Sequence, residues 1–201
     1  MRSGGEGPAG AKQMCTSGEG MEIELREMRV EEIGMIEQVD RSERVEAKYV
    51  AERSADGMGL RLRKVLKVPP GETGPWGERG VEERINLWRP ELEKGGVMVG
   101  AFEGERLVGF GILGRKLRDG SAEMCALFVG AGYRRSGIGS RLMGEMERIG
   151  RERGVSALFI GSNATESAVD FYLKQGCEVI GLSDNSLIRH RTGDPVFAKR
   201  L

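Results

Sequence analysis

The chain reads as an α/β (α+β) fold, and three observations carry that reading. Residues 124–129 are apolar and β-like, and a short turn leads from them into a helical pattern. There Ile138, Leu142, Met146 and Ile149 recur on one face. Two apolar runs, 97–102 and 106–113, flank Glu103-Gly104-Glu105 in the manner of a hairpin. Strand and helix patterns then follow one another to the C-terminus.

The turn Tyr133-Arg134-Arg135-Ser136-Gly137-Ile138-Gly139-Ser140 organises the rest. It has two arginines in its first half and two glycines in its second. Glycine lets a backbone approach a ligand closely and take conformations that a Cβ forbids. The first turn of the helix behind it has unpaired N–H groups and the positive end of the helix dipole, which favour an anion. The pattern predicts a phosphate cradle.

Composition narrows the function classes. The chain has 201 residues, enough for one domain with a proper core and a tail. Lys+Arg and Asp+Glu both number 31, so no global charge draws it to nucleic acid or to a membrane surface. Cys15, Cys125 and Cys177 are scattered and odd in number, which argues against a disulfide framework and a zinc site. No apolar run nears the roughly 18 residues of a membrane span, and the N-terminus has no apolar signal core. A soluble, cytoplasmic protein is expected. His190, the single histidine, lies between two arginines in a polar segment. It is either a solvated loop residue or the centre of a triad.

In chain order, residues 1–20 are Gly- and Ser-rich without periodicity and read as a disordered tail, leaving 21–201 as the domain. Residues 22–28 alternate polar and apolar as an edge strand does. From Val30 a helical pattern runs through Ile33, Met35, Ile36 and Val39. Asp40-Arg41-Ser42-Glu43 then breaks it, as a solvated helix end or a substrate mouth. Residues 45–80 read as a long loop anchored by Tyr49, Leu60, Leu62, Val65 and Leu66. Turns are expected at Pro69-Pro70-Gly71 and Gly74-Pro75-Trp76-Gly77. Trp76 either walls a pocket or pins the loop. Residues 81–92 resume a helix through Val81, Ile85, Leu87 and Trp88.

The hairpin follows, with Gly109 and Gly111 marking a bulge or a close backbone approach. An Asp119-Gly120 turn leads to strand 122–129. The central helix runs from Ile138 to about residue 153, with Gly154 as its stop. A short strand (157–160), a helix containing Phe171 and Tyr172 and stopped by Gly176, and strands 177–180 and 196–198 close the chain.

This order, with a glycine turn entering the central helix, resembles the GNAT superfamily of N-acetyltransferases. The resemblance covers roughly residues 22–201 and is most specific over 123–176. The superfamily's acyl-CoA signature, Arg or Gln, two residues, Gly, one residue, Gly or Ala, matches Arg134, Gly137 and Gly139. Tyr133 precedes it, and Asn163, Phe171-Tyr172 and Gly176 follow.

The resemblance implies a central mixed, mostly antiparallel sheet flanked by helices, and acetyl-CoA as co-substrate with no metal. The coenzyme pyrophosphate is expected on Arg134, Arg135, Ser136, Gly137, Ile138, Gly139 and Ser140. Its pantetheine arm is expected along Leu127, Phe128 and Val129, where a backbone N–H can stabilise an oxyanion. Asn163 is expected to hold that arm. Arg135 meets either a phosphate, the adenosine side or solvent.

Tyr172 corresponds to the superfamily's proton donor to the departing thiolate, its other reading being a core aromatic. Glu123 is a candidate base. Period-2 counting puts it on one face with Cys125, Leu127 and Val129, and its bland reading is an exposed carboxylate. Cys125 reads as packing rather than as a nucleophile. The implied function is acetyl transfer to a primary amine, the acceptor being a small molecule or a protein amine. Asp40, Glu43, Glu82 and Glu83 either attract a cationic acceptor or are simply solvated. A non-catalytic acyl-CoA sensor is the alternative, and a nucleotide-binding domain is disfavoured because no Walker motif is present. Related proteins are often homodimers.

Overall fold

The computed structural model describes residues 16–17, 21–53, 59–74, 76, 80–183 and 193–201. In chain order the elements are β1 (Thr16–Ser17), β2 (Met21–Met28), a 3-10 helix (Val30–Gln38), β3 (Glu43–Arg53), β4 (Leu60–Thr73) and α1 (Gly80–Glu93). There follow β5 (Val97–Glu103), β6 (Arg106–Leu113), β7 (Ser121–Val129) and a one-turn 3-10 helix (Ala131–Tyr133). The remainder is α2 (Ile138–Glu152), β8 (Ala157–Gly161), α3 (Glu166–Lys174), β9 (Glu178–Leu182) and β10 (Pro195–Arg200). Apart from Thr16 and Ser17, which pair with β2, the expected tail lies outside the described residues, as does His190.

Eight strands make one sheet in the order β1-β2-β5-β6-β7-β8-β10-β9. Only β7 and β8 run parallel, and the other pairs are antiparallel. Each face carries its own core. On one, α2 and α3 cover Val97, Val99, Met124, Leu158 and Phe197. On the other, the 3-10 helix and α1 cover Met98, Phe102, Phe110 and Ile112. The helical apolar stripe predicted from Ile138 to Ile149 is buried along its length. It packs so close to β6 that a Cβ on Gly111 would stand 2.5 Å from Met146 Cε. Gly111 therefore marks a close helix approach.

The segment read as a long loop is a two-stranded arm instead. Val45 and Ala47 are buried and Tyr49 half-buried, whereas Arg44, Glu46 and Lys48 face outward, a period of two. The prolines misled because they occupy an irregularity: Val45 pairs with Gly71 but Ala47 with Leu66, so Pro69 and Pro70 fall where β4 has no partner on β3. A residue without an N–H is tolerated there.

Candidate active site

The parallel pair is short and then parts. Ser121, Ala122 and Glu123 pair with Ala157, Leu158 and Phe159, and beyond them β7 runs on to Val129 without β8. The opening between the strands leads to the turn before α2. Gly137 caps that helix at φ +85°, a left-handed conformation that favours glycine, and Arg135 also lies at positive φ, +63°. The first backbone bond across the start of the helix joins Arg141 N–H to Gly137 O at 3.1 Å. The amides of Ile138, Gly139 and Ser140 thus precede the intrahelical ladder. A Cβ on Gly139 would lie 3.2 Å from the Phe171 ring and 3.7 Å from Val129 Cγ2. The turn, the end of β7 and α3 meet at that glycine.

Side chains hold the turn in place. The Ser136 hydroxyl donates to Tyr133 O at 2.5 Å, and Ser140 Oγ accepts from Gln175 Nε2 at 2.9 Å. Arg134 turns inward: Nε donates to Val129 O at 3.3 Å and Nη2 to Arg41 O at 3.0 Å. Its guanidinium braces the cradle against the segment behind the first 3-10 helix. Arg135 is exposed. The Tyr133 hydroxyl donates to Glu103 at 2.7 Å, and that bond pushes its pKa up.

Glu123 stands where β7 and β8 separate. Its face differs from the sequence expectation. Leu113 pairs with Met124 but Ile112 with Ala126, a β-bulge that places Cys125 out of register. The alternation restarts there: Ala122 and Met124 belong to the α2 side, as do Leu127 and Val129, while Cys125, Ala126 and Phe128 belong to the α1 side. Counting by twos across the bulge is what fails. The Cys125 thiol is half-buried and lies 3.7 Å from Glu123 O.

Asn163 is exposed, and its carbonyl accepts from Ser162 Oγ at 3.1 Å. The β3–β4 arm crosses beside it. Tyr49 N–H donates to Ala164 O at 2.7 Å, Tyr49 Oη donates to Asp170 Oδ1 at 2.7 Å, and Lys64 pairs with Glu166. Tyr172 is buried, its ring 5.2 Å from Phe171 and 5.4 Å from Phe197. Burial, helped by the nearby Cys177, drives its phenol well above the usual tyrosine range, so the hydroxyl keeps its proton at neutral pH.

On the α1 side, four rings that sequence reasoning did not bring together form a cluster. Phe110 lies 6.3 Å from Trp76, 5.8 Å from Trp88 and 5.5 Å from Phe128. Arg41, which the sequence left in a polar break, lies against it, 4.0 Å from the Phe128 ring centre and 4.8 Å from that of Trp76. Burial first, then repulsion from Arg84 and Arg134, lowers its pKa to about 10. The only sequence signal was the tryptophan itself, since period and spacing say nothing about a partner far along the chain. Of the acidic candidates, Asp40 caps Ser42 N–H at 2.8 Å, Glu43 accepts from the Ser167 hydroxyl, and Glu82 and Glu83 are exposed.

The model of the acetyltransferase (GNAT) family matches residues 62–177, more than half of the chain and all of the cradle. The chain belongs to that family. It is an acyltransferase by membership, and the fold comparisons agree. It is similar to the crystal structure of nourseothricin acetyltransferase at 18% identity, covering 89% of this chain and 98% of that one with a TM-score of 0.68. A putative streptothricin acetyltransferase from Bacillus anthracis, solved with acetyl coenzyme A, shares 18% identity over 89% of this chain and 98% of that one, TM-score 0.67. The PaiA N-acetyltransferase of Thermoplasma acidophilum, solved with coenzyme A, shares 19% over 90% and 100%, TM-score 0.59. No curated protein matches the sequence. No described helix is long and apolar enough to cross a membrane.

Proposed function

We propose that this chain transfers the acetyl group of acetyl-CoA to a primary amine by direct attack. The observation that carries the reading is the parting of β7 from β8 beyond Glu123, opening onto a turn whose amides precede the helical ladder. The residues present fit the coenzyme. Gly139 leaves room that a side chain would fill, and the positive end of α2 favours a pyrophosphate. Backbone of 134–140 would hold the phosphates, that of Leu127, Phe128 and Val129 would hold the pantetheine arm, and Asn163 would steady it.

Acetyl-CoA supplies an activated thioester, and the chain supplies binding and proton transfers. Glu123, at the apex of the opening, is assigned to take the proton the amine must lose, directly or through water. Tyr172, protonated at neutral pH, is assigned to donate a proton to the departing sulfur.

Calorimetric titration with acetyl-CoA, with ATP and NAD as controls, tests the reading on the wild type and on Gly137→Trp. Gly137 has open space around a Cβ, so the indole would stand over the cradle rather than in the core. Its positive φ costs a side chain about 1–2 kcal/mol, which a melting curve monitors. Binding by the wild type alone is expected, and a folded wild type that ignores acetyl-CoA overturns the proposal. A non-catalytic acyl-CoA sensor is the second reading, favoured by the packing of Tyr172 among core rings. A sensor binds acetyl-CoA and acetylates no amine.

A further inference from the structure

Three buried donors without an acceptor among the described residues meet at one place on the α1 side: Arg41 Nε, Arg41 Nη1 and Trp76 Nε1. The guanidinium carbon lies 4.0 Å from the Phe128 ring centre and 4.8 Å from that of Trp76, while those rings are 6.2 Å apart. These lengths make a nearly right-angled triangle, so the cation sits in a corner between two rings rather than sandwiched by them. Its stacking uses the π-faces and leaves N–H groups unmatched.

Two further cations bear on the corner. Arg84 and Arg134 both disfavour the charge on Arg41, and Glu43 supports it. Glu43 in turn accepts from the Ser167 hydroxyl. A half-buried cation among like charges, with buried donors that have no acceptor among the described residues, is the arrangement an anionic oxygen would complete.

The corner also adjoins the reaction strand. Phe128 lies between Leu127 and Val129, and the carbonyl of Arg41 accepts the Arg134 guanidinium that braces the cradle. A group held by Arg41 therefore lies within a short molecule's length of the backbone assigned to the thioester.

We infer that Arg41, with Trp76 as the adjoining wall, is the subsite for an oxyanion on the acceptor, so that the acceptor is a small amine that also carries a carboxylate or phosphate. This rests on the acetyltransferase reading and adds the substrate class to it. It adds an anion site to the expectation that Asp40, Glu43, Glu82 and Glu83 either attract a cationic amine or are simply solvated. Because Nε and Nη1 are buried, a neighbouring side chain has to shift as the anion enters.

Two matched pairs test this on the full chain saturated with coenzyme A: phenylalanine against phenethylamine, and O-phosphoethanolamine against ethanolamine. Calorimetry reads binding, and product mass reads transfer when acetyl-CoA replaces coenzyme A. The anionic member of at least one pair is expected to bind at least about tenfold tighter, in the range of a charge-assisted hydrogen bond. The pair that shows the preference tells carboxylate from phosphate. Arg41→Gln is expected to remove it, raising KM for the anionic amine with little change in kcat, and Arg41→Lys to restore part of it.

No preference for the anionic member in either pair overturns the inference, with or without the variants. So does a preference that survives in a folded Arg41→Gln. Failure of the wild type to bind coenzyme A or acetyl-CoA strikes the acetyltransferase reading instead, so the two failures are told apart by the first titration.

Discussion

The two faces of the sheet solve their polar groups differently. Under α2 and α3 the buried carboxylate of Glu147 accepts from Lys199 and, at 3.1 Å, from Arg151. Aliphatic and methionine side chains, with the rings of Tyr172 and Phe197 beside α3, fill the rest, and Met146 and Leu142 pack against glycines of β6. Under α1 the core ends in rings and in Arg41, whose Nε and Nη1 have no acceptor among the described residues. The first face has matched its charge within the fold and presents the cradle from a rigid base. The second face carries a charge that the fold leaves unmatched, at the side where an acceptor would approach. On the proposed reading the packed face would support the coenzyme, and the incomplete satisfaction on the other would mark a ligand.

The strongest way to break this division is at the chemistry. Tyr172→Phe is expected to lower acetyl transfer by about 10²–10⁴-fold while acetyl-CoA binding measured by calorimetry stays near wild type. Equal turnover in the variant would leave Tyr172 as a core aromatic and return the proton to water.

Packing comes next. Leu142 is fully buried on α2, and Leu142→Ala is expected to cost about 2–5 kcal/mol in denaturant unfolding. Gly111→Val should cost about 1–3 kcal/mol, since its Cβ meets Met146 and a thioether can yield partly. A small loss at both sites would mean that α2 rides loosely on β6, and the rigid-base half of the comparison would fall.

The charges sharpen the comparison directly. Glu147→Gln leaves Lys199 facing a neutral amide and is expected to lower stability by about 1–3 kcal/mol. Arg41→Met removes a half-buried cation with two unmatched nitrogens and is expected to leave stability unchanged or raise it by roughly 1 kcal/mol. Thermal melts without ligand read both. A large loss from Arg41→Met would make the guanidinium a structural strut.

What the sequence made legible follows from which signals are local. The stripe from Ile138 to Ile149, the hairpin around Gly104 and the strand leading into Gly137 depend on neighbours within a turn or two, and all are present. The family resemblance rested on the same stretch, and the family match covers it. The β3–β4 arm was hidden because Pro69, Pro70 and Pro75 outweighed the alternation from Val45 to Ala51. Those prolines break a strand only where its partner requires an N–H. The bulge at Cys125 was hidden for another reason: it depends on how β6 pairs, and no property of β7 alone reports it. Arg41 was the least legible, since its meaning comes from Trp76 and Phe128, which lie far from it in sequence.

The smallest expected effect lies far from both sites, at the corner where β2 meets the first 3-10 helix. Arg26 donates to Glu32 through Nη2 at 2.8 Å and Nη1 at 3.2 Å, and Arg29 N–H donates at 2.8 Å. The Arg26 hydrogen bonds, then that backbone bond, hold the Glu32 carboxyl at a pKa of about 2 against an ordinary 4.5. A carboxylate whose pKa is depressed by folding adds stability above its unfolded value and loses it as pH falls through the folded one. The wild type should therefore exceed Glu32→Gln in Tm at neutral pH. That gap should narrow from pH 4.5 downward and close near pH 2. Because Arg26 is partly exposed, solvent screens the pair, and added salt should shrink the gap at neutral pH as well. A Tm difference that is constant across this window would mean that the ionisation of Glu32 adds nothing to stability.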